Sequence, residues 1–331
     1  MINKSNRIDY IDIARGIVIV LMVLGHSYSQ SNVIVHWLYS FHMPFFFIVS
    51  GHLSAMKREE QVNIIEECKS KLKTLILPYC IWGTLYQLFL AGLQILGGAS
   101  FTETLKTKIL LVLNLKGSAM WFLPVMFMVI MLFNMVKYNH RISMCLAIVL
   151  MSIGIMMPKQ GNILEAFLRV CLGYFFVCVG FYGHKFYKKE FANIELIVLV
   201  IASLIFAFVN PIVDMAYRSF GNPMLYIING FLGTWVVIQL SKKLEKFSSN
   251  TIVNTLKLWG KRSIVVLCLH GFIIQVIRLV DYKVFNSILS SLGVIEGIVI
   301  TSIVMLMITV CMSVAVRFFG WTWGIRSKKL L

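Results

Sequence analysis

Charge is scarce in this chain, and negative charge is scarcest. Asp, Glu, Lys and Arg together supply 14% of its 331 residues, against about 25% in an ordinary soluble domain. That shortage excludes a water-soluble catalytic domain of any size. A Cys-x-x-Cys pair is also missing. The seven cysteines, 68, 80, 145, 171, 178, 268 and 311, are odd in number and sit mostly inside apolar runs. They read as small hydrophobes, which argues against a disulfide framework or a zinc site. The first apolar run has no small-residue cleavage site behind it, so no signal peptide is expected. Nor does the chain show a solenoid repeat or a low-complexity linker. Although the net charge is +17, the cations lie in short clusters between apolar runs. No basic surface interleaved with aromatics is present, which excludes nucleic acid as a partner.

What remains is apolar. Hydrophobic residues make up 59% of the sequence and the mean hydropathy is +0.82, values that belong to an integral membrane protein. At about 20 residues per crossing, this length holds about ten spans and no soluble domain. Apolar segments fall at about 13–31, 34–56, 74–97, 118–136, 142–158, 163–183, 194–211, 223–241, 260–280 and 296–316. The expected fold is therefore an all-α polytopic helical bundle over residues 8–318, followed by a short basic tail, 319–331. Alternate connections differ sharply in Lys and Arg. One set carries 23 and the other 7, with Arg169 inside a span. By the positive-inside rule both termini are expected in the cytoplasm, with the bundle in the plasma or inner membrane. The lipid bilayer is then the first partner. The lysines at 106–116 fit that count less well and read as an interfacial hairpin.

Polar groups inside the spans are the functional candidates, because lipid penalises them. Arg15 and His26 are eleven residues apart in the first span, which puts them on one helix face about 16 Å apart along the axis. A guanidinium at one level can hold phosphate while an imidazole waits a cofactor arm's length deeper. Asp12 shares that face and can steady Arg15. In the second span, His42 precedes Pro44, which is expected to bend the helix. The histidines at 26, 36, 42 and 52 have no acidic companion and no His-x-x-x-His spacing, so no metal is expected. Residues 57–79 read as an amphipathic surface helix ending in Lys69, Lys71 and Lys73. Trp121 opens the fourth span, Ser263 lies at the start of the ninth, and His270 lies towards the middle of that ninth span.

Together these elements resemble the acyltransferase-3 family of integral membrane acyltransferases, nearest to its short branch that O-acetylates cell-surface sugars. The resemblance rests on Arg15-x10-His26 with Asp12, on Phe41-His42-Met43-Pro44-Phe45-Phe46-Phe47 running to Ser50-Gly51, and on the basic run before Leu77-Pro78-Tyr79. Trp121-Phe122-Leu123 and Gly260-x-x-Ser263 with His270 complete it, so it covers nearly the whole chain. It implies a cytoplasmic acyl-CoA donor, with acetyl-CoA as co-substrate and no bound cofactor, and a glycan acceptor. It also implies that Arg15 and His26 are essential. The family often carries Arg-x-x-Arg before span three. Here lysines stand there instead, with Thr74 where an arginine is expected, and lysine meets phosphate as a point charge rather than a fork.

The expected activity is transfer of acetyl to a hydroxyl of a lipid-linked or surface polysaccharide. His26 would act as general base or take the acyl group itself. Arg15 with Lys69, Lys71 and Lys73 would hold the CoA phosphates, and His42 would serve the outer side. Trp121, with Ser263 and His270, would contact substrate. The rival reading is a secondary transporter or flippase for a small anionic or glycan substrate, which also predicts ten spans and intramembrane Arg and His. No paired halves with matching broken segments are visible. From the cation bias, a reporter fused after Leu331 should be cytoplasmic and one placed near Val33 external. An external C-terminus would mean a miscounted span.

Overall fold

The computed structural model describes residues 8–28, 32–56, 63–116 and 118–325. In chain order its helices are α1 (Asp9–Ser27), α2 (Val33–Tyr39), α3 (His42–Met56), α4 (Ile64–Lys71), α5 (Thr84–Leu96), α6 (Phe101–Leu113), α7 (Phe122–Val136) and α8 (His140–Met156). They continue as α9 (Leu164–Tyr182), α10 (His184–Lys188), α11 (Asn193–Val209), α12 (Pro223–Glu245), α13 (Thr251–Lys261), α14 (Ser263–Val284), α15 (Ile288–Ser291) and α16 (Val294–Phe319). Among the described residues no strand is formed, only one isolated bridge, Asp214–Ser219. Among the described residues, eight helical stretches are long and apolar enough to cross a membrane, and α8 and α11 are shorter apolar helices of 17 residues each. The all-α polytopic expectation is met. Outward faces are apolar, as lipid contact requires. Leu306, Val310 and Val314 form an exposed stripe on α16, and Ile197, Ile201 and Ile205 one on α11.

Three local expectations need correction. The second crossing does not bend at Pro44. It breaks at Ser40–Phe41, and Pro44 falls in the first turn of α3, where a missing N–H costs little. The amphipathic helix is not separate either. From Ile64 it runs without interruption to Leu96, with residues 57–62 outside the described part. Two π-helical segments, Leu72–Ile76 and Tyr79–Gly83, flank Pro78. Their wide turns let the Leu77 N–H reach the Leu72 carbonyl, so the helix passes a proline that would otherwise clash with the preceding turn. Third, the segment read as tail begins with a 3-10 turn, Gly320–Trp323, folded into the bundle. Trp323 is buried and stacks on Trp82 at 5.0 Å. Its basic residues at 326–331 lie outside the described part. The lysine-bearing segment 106–116 largely belongs to α6, which packs beside α5.

Two backbone-to-backbone contacts set the bundle. Helices α1 and α13 meet at Gly16 and Gly260. A Cβ on Gly16 would lie 1.9 Å from the Leu256 carbonyl oxygen, and one on Gly260 would lie 1.7 Å from that of Asp12. Helices α3 and α9 meet in the same way: a Cβ on Gly51 would lie 2.0 Å from the Val177 oxygen, and one on Gly180 would lie 1.9 Å from that of Ile48. In lipid, helices gain little from hiding apolar surface and associate by close packing, which small residues permit. Gly51→Ala and Gly180→Ala should each destabilise the protein by about 1–3 kcal/mol through overpacking. Unfolding in detergent would measure this, and the double variant should cost less than the sum, because the helix separation forced by one alanine already makes room for the other.

Candidate functional site

The α1–α13 contact explains a sequence motif. Gly260 lets α13 lie on α1, and three residues later Ser263 begins α14 beside Arg15. Arg15 Nη2 donates to Ser263 Oγ at 3.0 Å. Both side chains line one cavity of about 870 Å³ that also takes in His26, His42, Trp121 and Lys71. That volume lies in the range of ligand sites. Of the predicted lysines, only Lys71 lines the cavity. Lys69 and Lys73 are exposed. The reason is helical spacing: they stand four residues apart on one face, while Lys71, two residues from each, points about 160° away. Thr74 and the C-terminal Trp323, Gly324 and Ile325 close this end.

Further along α1 the walls carry imidazoles. The first helix carries Arg15 in its second turn and His26 in its last. The ring of His26 lies 5.4 Å from His270 and 6.2 Å from Tyr39, and Tyr39 lies 5.0 Å from His42. The break in the second crossing positions His42, whose Nδ1 is 2.9 Å from the Leu38 carbonyl oxygen. A carbonyl can only accept, so Nδ1 carries hydrogen, and in the neutral ring Nε2 keeps the basic lone pair. The same logic applies to His270, with Nδ1 2.9 Å from the Leu267 carbonyl. His270 does not line the main cavity. It faces a recess of about 130 Å³ that it shares with His26, Tyr86, Gln275 and Arg278. Among the described residues, no three His, Cys, Asp or Glu side chains converge as metal ligands.

The far end is built by the connecting residues 114–116, 118–121, 157–163 and 210–222. Trp121 closes a 3-10 turn whose Ser118 hydroxyl accepts from the Met120 N–H. The Arg169 guanidinium covers one face of its indole, 4.9 Å from a ring centroid, so that face is not open to a sugar. Lys116, Lys159 and Asp214 line the same end. A buried ion pair holds it in shape: Arg218 Nε donates to Glu165 Oε1 at 2.6 Å, and the other Arg218 nitrogens reach the carbonyls of Gly154, Met157 and Pro158. Asn210 stitches the loop base to Phe220 and Asn222. Asp214 accepts from the Ala216 and Tyr217 N–H groups, and burial pushes its carboxyl above the usual carboxylate range. Sequence reasoning assigns neither Arg169 nor Asp214 to the site. Arg169 carried a usable signal as a charge inside a span, whereas Asp214 sits in a loop with nothing local to mark it.

Sequence motifs scattered from Arg15 to Ser263 thus meet around one cavity, with the Phe41–Phe47 run forming part of its wall and of the core beneath. Comparison with known proteins agrees with that convergence. Residues 8–317 match the family described as "Acyltransferase domain". No curated protein and no solved structure matches the chain significantly. Because the match covers nearly the whole chain, from before α1 to the last turns of α16, this integral membrane protein belongs to the acyltransferase-3 family.

Proposed function

We propose that the protein is an O-acetyltransferase of the short branch, moving acetyl from cytoplasmic acetyl-CoA to a hydroxyl of a lipid-linked or surface polysaccharide. One observation carries the reading. A single cavity is lined at one end by Arg15, Lys71 and Ser263, in its middle by His26 and His42, and at the other by Trp121 and Asp214. The sequence-derived topology puts the first end towards the cytoplasm and the second outside. Donor and acceptor can then approach the same imidazoles from opposite sides without either crossing the membrane.

Arg15 holds a CoA phosphate by charge-assisted hydrogen bonds, oriented by Ser263. Lys71 adds a second positive charge there. At His26 the acceptor hydroxyl loses its proton to the imidazole as its oxygen attacks the thioester carbonyl. The tetrahedral intermediate then collapses, the carbon–sulfur bond breaks, and the imidazolium returns the proton to the departing thiolate. His42, with its Nε2 lone pair, receives or orients the acceptor hydroxyl on the outer side. His270 shapes the recess beside His26. The family match favours this reading over a transporter, and a carrier would leave acetyl-CoA unconsumed.

His26→Gln keeps a hydrogen-bonding side chain and removes the base. It should lower acetyl transfer by about 10²–10⁴-fold at normal expression. Retention of more than about a tenth of wild-type turnover, under about 1.4 kcal/mol of barrier, would move the base to His42. Arg15→Lys should keep part of the activity with a raised KM for acetyl-CoA, and Arg15→Ala should lose far more. Small and equal effects of the two on transfer by purified protein would remove Arg15 from the donor site.

A further inference from the structure

The charges at the loop end of the cavity do not cancel. Glu165 is fully engaged. Its Oε1 accepts from Arg218 Nε, and its Oε2 accepts from Arg218 Nη2 at 3.3 Å and from the Gln160 N–H at 2.7 Å. Arg218 spends its remaining donors on backbone carbonyls. Apart from that closed pair, three cations line this end, Arg169, Lys116 and Lys159, against one carboxylate, Asp214. Lys116 Nζ donates to the Gln160 carbonyl at 2.9 Å, which fixes it in place without neutralising it.

Arg169 is the most exacting of the three. It is 4% exposed and, among the described residues, forms no ion pair. Its Nη1 donates to the Leu115 carbonyl at 3.0 Å, Trp121 covers the guanidinium face, and Nε has no hydrogen-bond partner. One edge of the fork, Nε with Nη2, is therefore left without a protein acceptor. A buried charge with no ion pair and incomplete hydrogen bonding is costly, and the edge left over has the spacing of two oxygens of one carboxylate or phosphate. A neutral sugar would offer single hydroxyl oxygens and leave the excess of positive charge at this end unmatched.

We propose that the loop end of the cavity receives an anionic group of the acceptor, a sugar carboxylate or phosphate, at the incompletely bonded guanidinium of Arg169, so that the acceptor is an acidic glycan. Lys116 and Lys159 add to the local field, and the indole of Trp121 keeps the guanidinium in plane. The inference rests on the reading of this cavity as an acyl-transfer site.

Binding can be measured apart from transfer. Full-length protein in lipid nanodiscs is titrated calorimetrically with glucose, glucuronate and glucose 1-phosphate at about 0.1 M salt. An acidic sugar should bind at least about tenfold more tightly than glucose, and the tighter of the two identifies carboxylate or phosphate as the group recognised. Arg169→Gln should shrink that preference to under about threefold, and Arg169→Lys should fall between, since it keeps the charge without the fork. His26→Gln should retain the full preference although it no longer transfers acetyl. Equal affinity for glucose and both acidic sugars in the wild type, or no binding of either acid, would overturn the proposal whether or not the variants fold. So would an acid preference undiminished in Arg169→Gln. If instead the preference is present but the wild type never consumes acetyl-CoA, the acyl-transfer reading fails and the anion site stands.

Discussion

The contact of α1 with α13 governs the geometry of the site. Two glycines on opposing helices remove the side chains that would hold the backbones apart, and lipid supplies no hydrophobic force that could replace this fit. Everything useful on α1 is measured from there. Arg15 stands one residue from Gly16 and finds Ser263 three residues past Gly260, at the start of the next helix. The rigid helix then carries His26 to a fixed height, about 16 Å away. Because α1 also packs on α12, α14 and α16, it lies inside the bundle and can present one face to the cavity while the others are packed.

Hydropathy reveals a crossing well because lipid demands one property over about 20 consecutive residues. The spans, the all-α architecture and the Arg15–His26 spacing were legible for that reason. Helix ends were not. Where a helix stops depends on the capping and packing of a few residues, and the break at Ser40–Phe41 follows from that. Proline was legible as a residue but not in its effect. Pro44 opens a helix after a break, whereas Pro78 sits between π turns inside a continuous one. Local sequence does not distinguish these outcomes, since tertiary contacts decide which backbone groups find partners.

The site itself was legible only where its residues are anomalous. A histidine or arginine in an apolar run announces itself, and so Arg15, His26 and His42 stood out. Lysines at a span boundary do not, because each is as useful for topology as for a ligand, and only Lys71 of the three faces the cavity. The loop end was the least visible. Asp214, Lys116 and Lys159 lie in ordinary polar connections, and it is the folding of three such connections over Trp121 and Arg169 that gives them a common purpose.

The Glu165–Arg218 pair has an evolutionary consequence. Each partner is nearly inaccessible, at 5% and 2% of its side-chain surface, and Arg218 adopts a left-handed backbone, φ 46°, to reach its partners. Losing one partner leaves an isolated buried charge, which is far more damaging than losing both to residues of similar volume. The path away from this pair therefore runs through a deep fitness valley at either single substitution. Across divergent descendants of this sequence the two positions should change together or not at all, and the loop they anchor should be inherited as a unit with the end of α8.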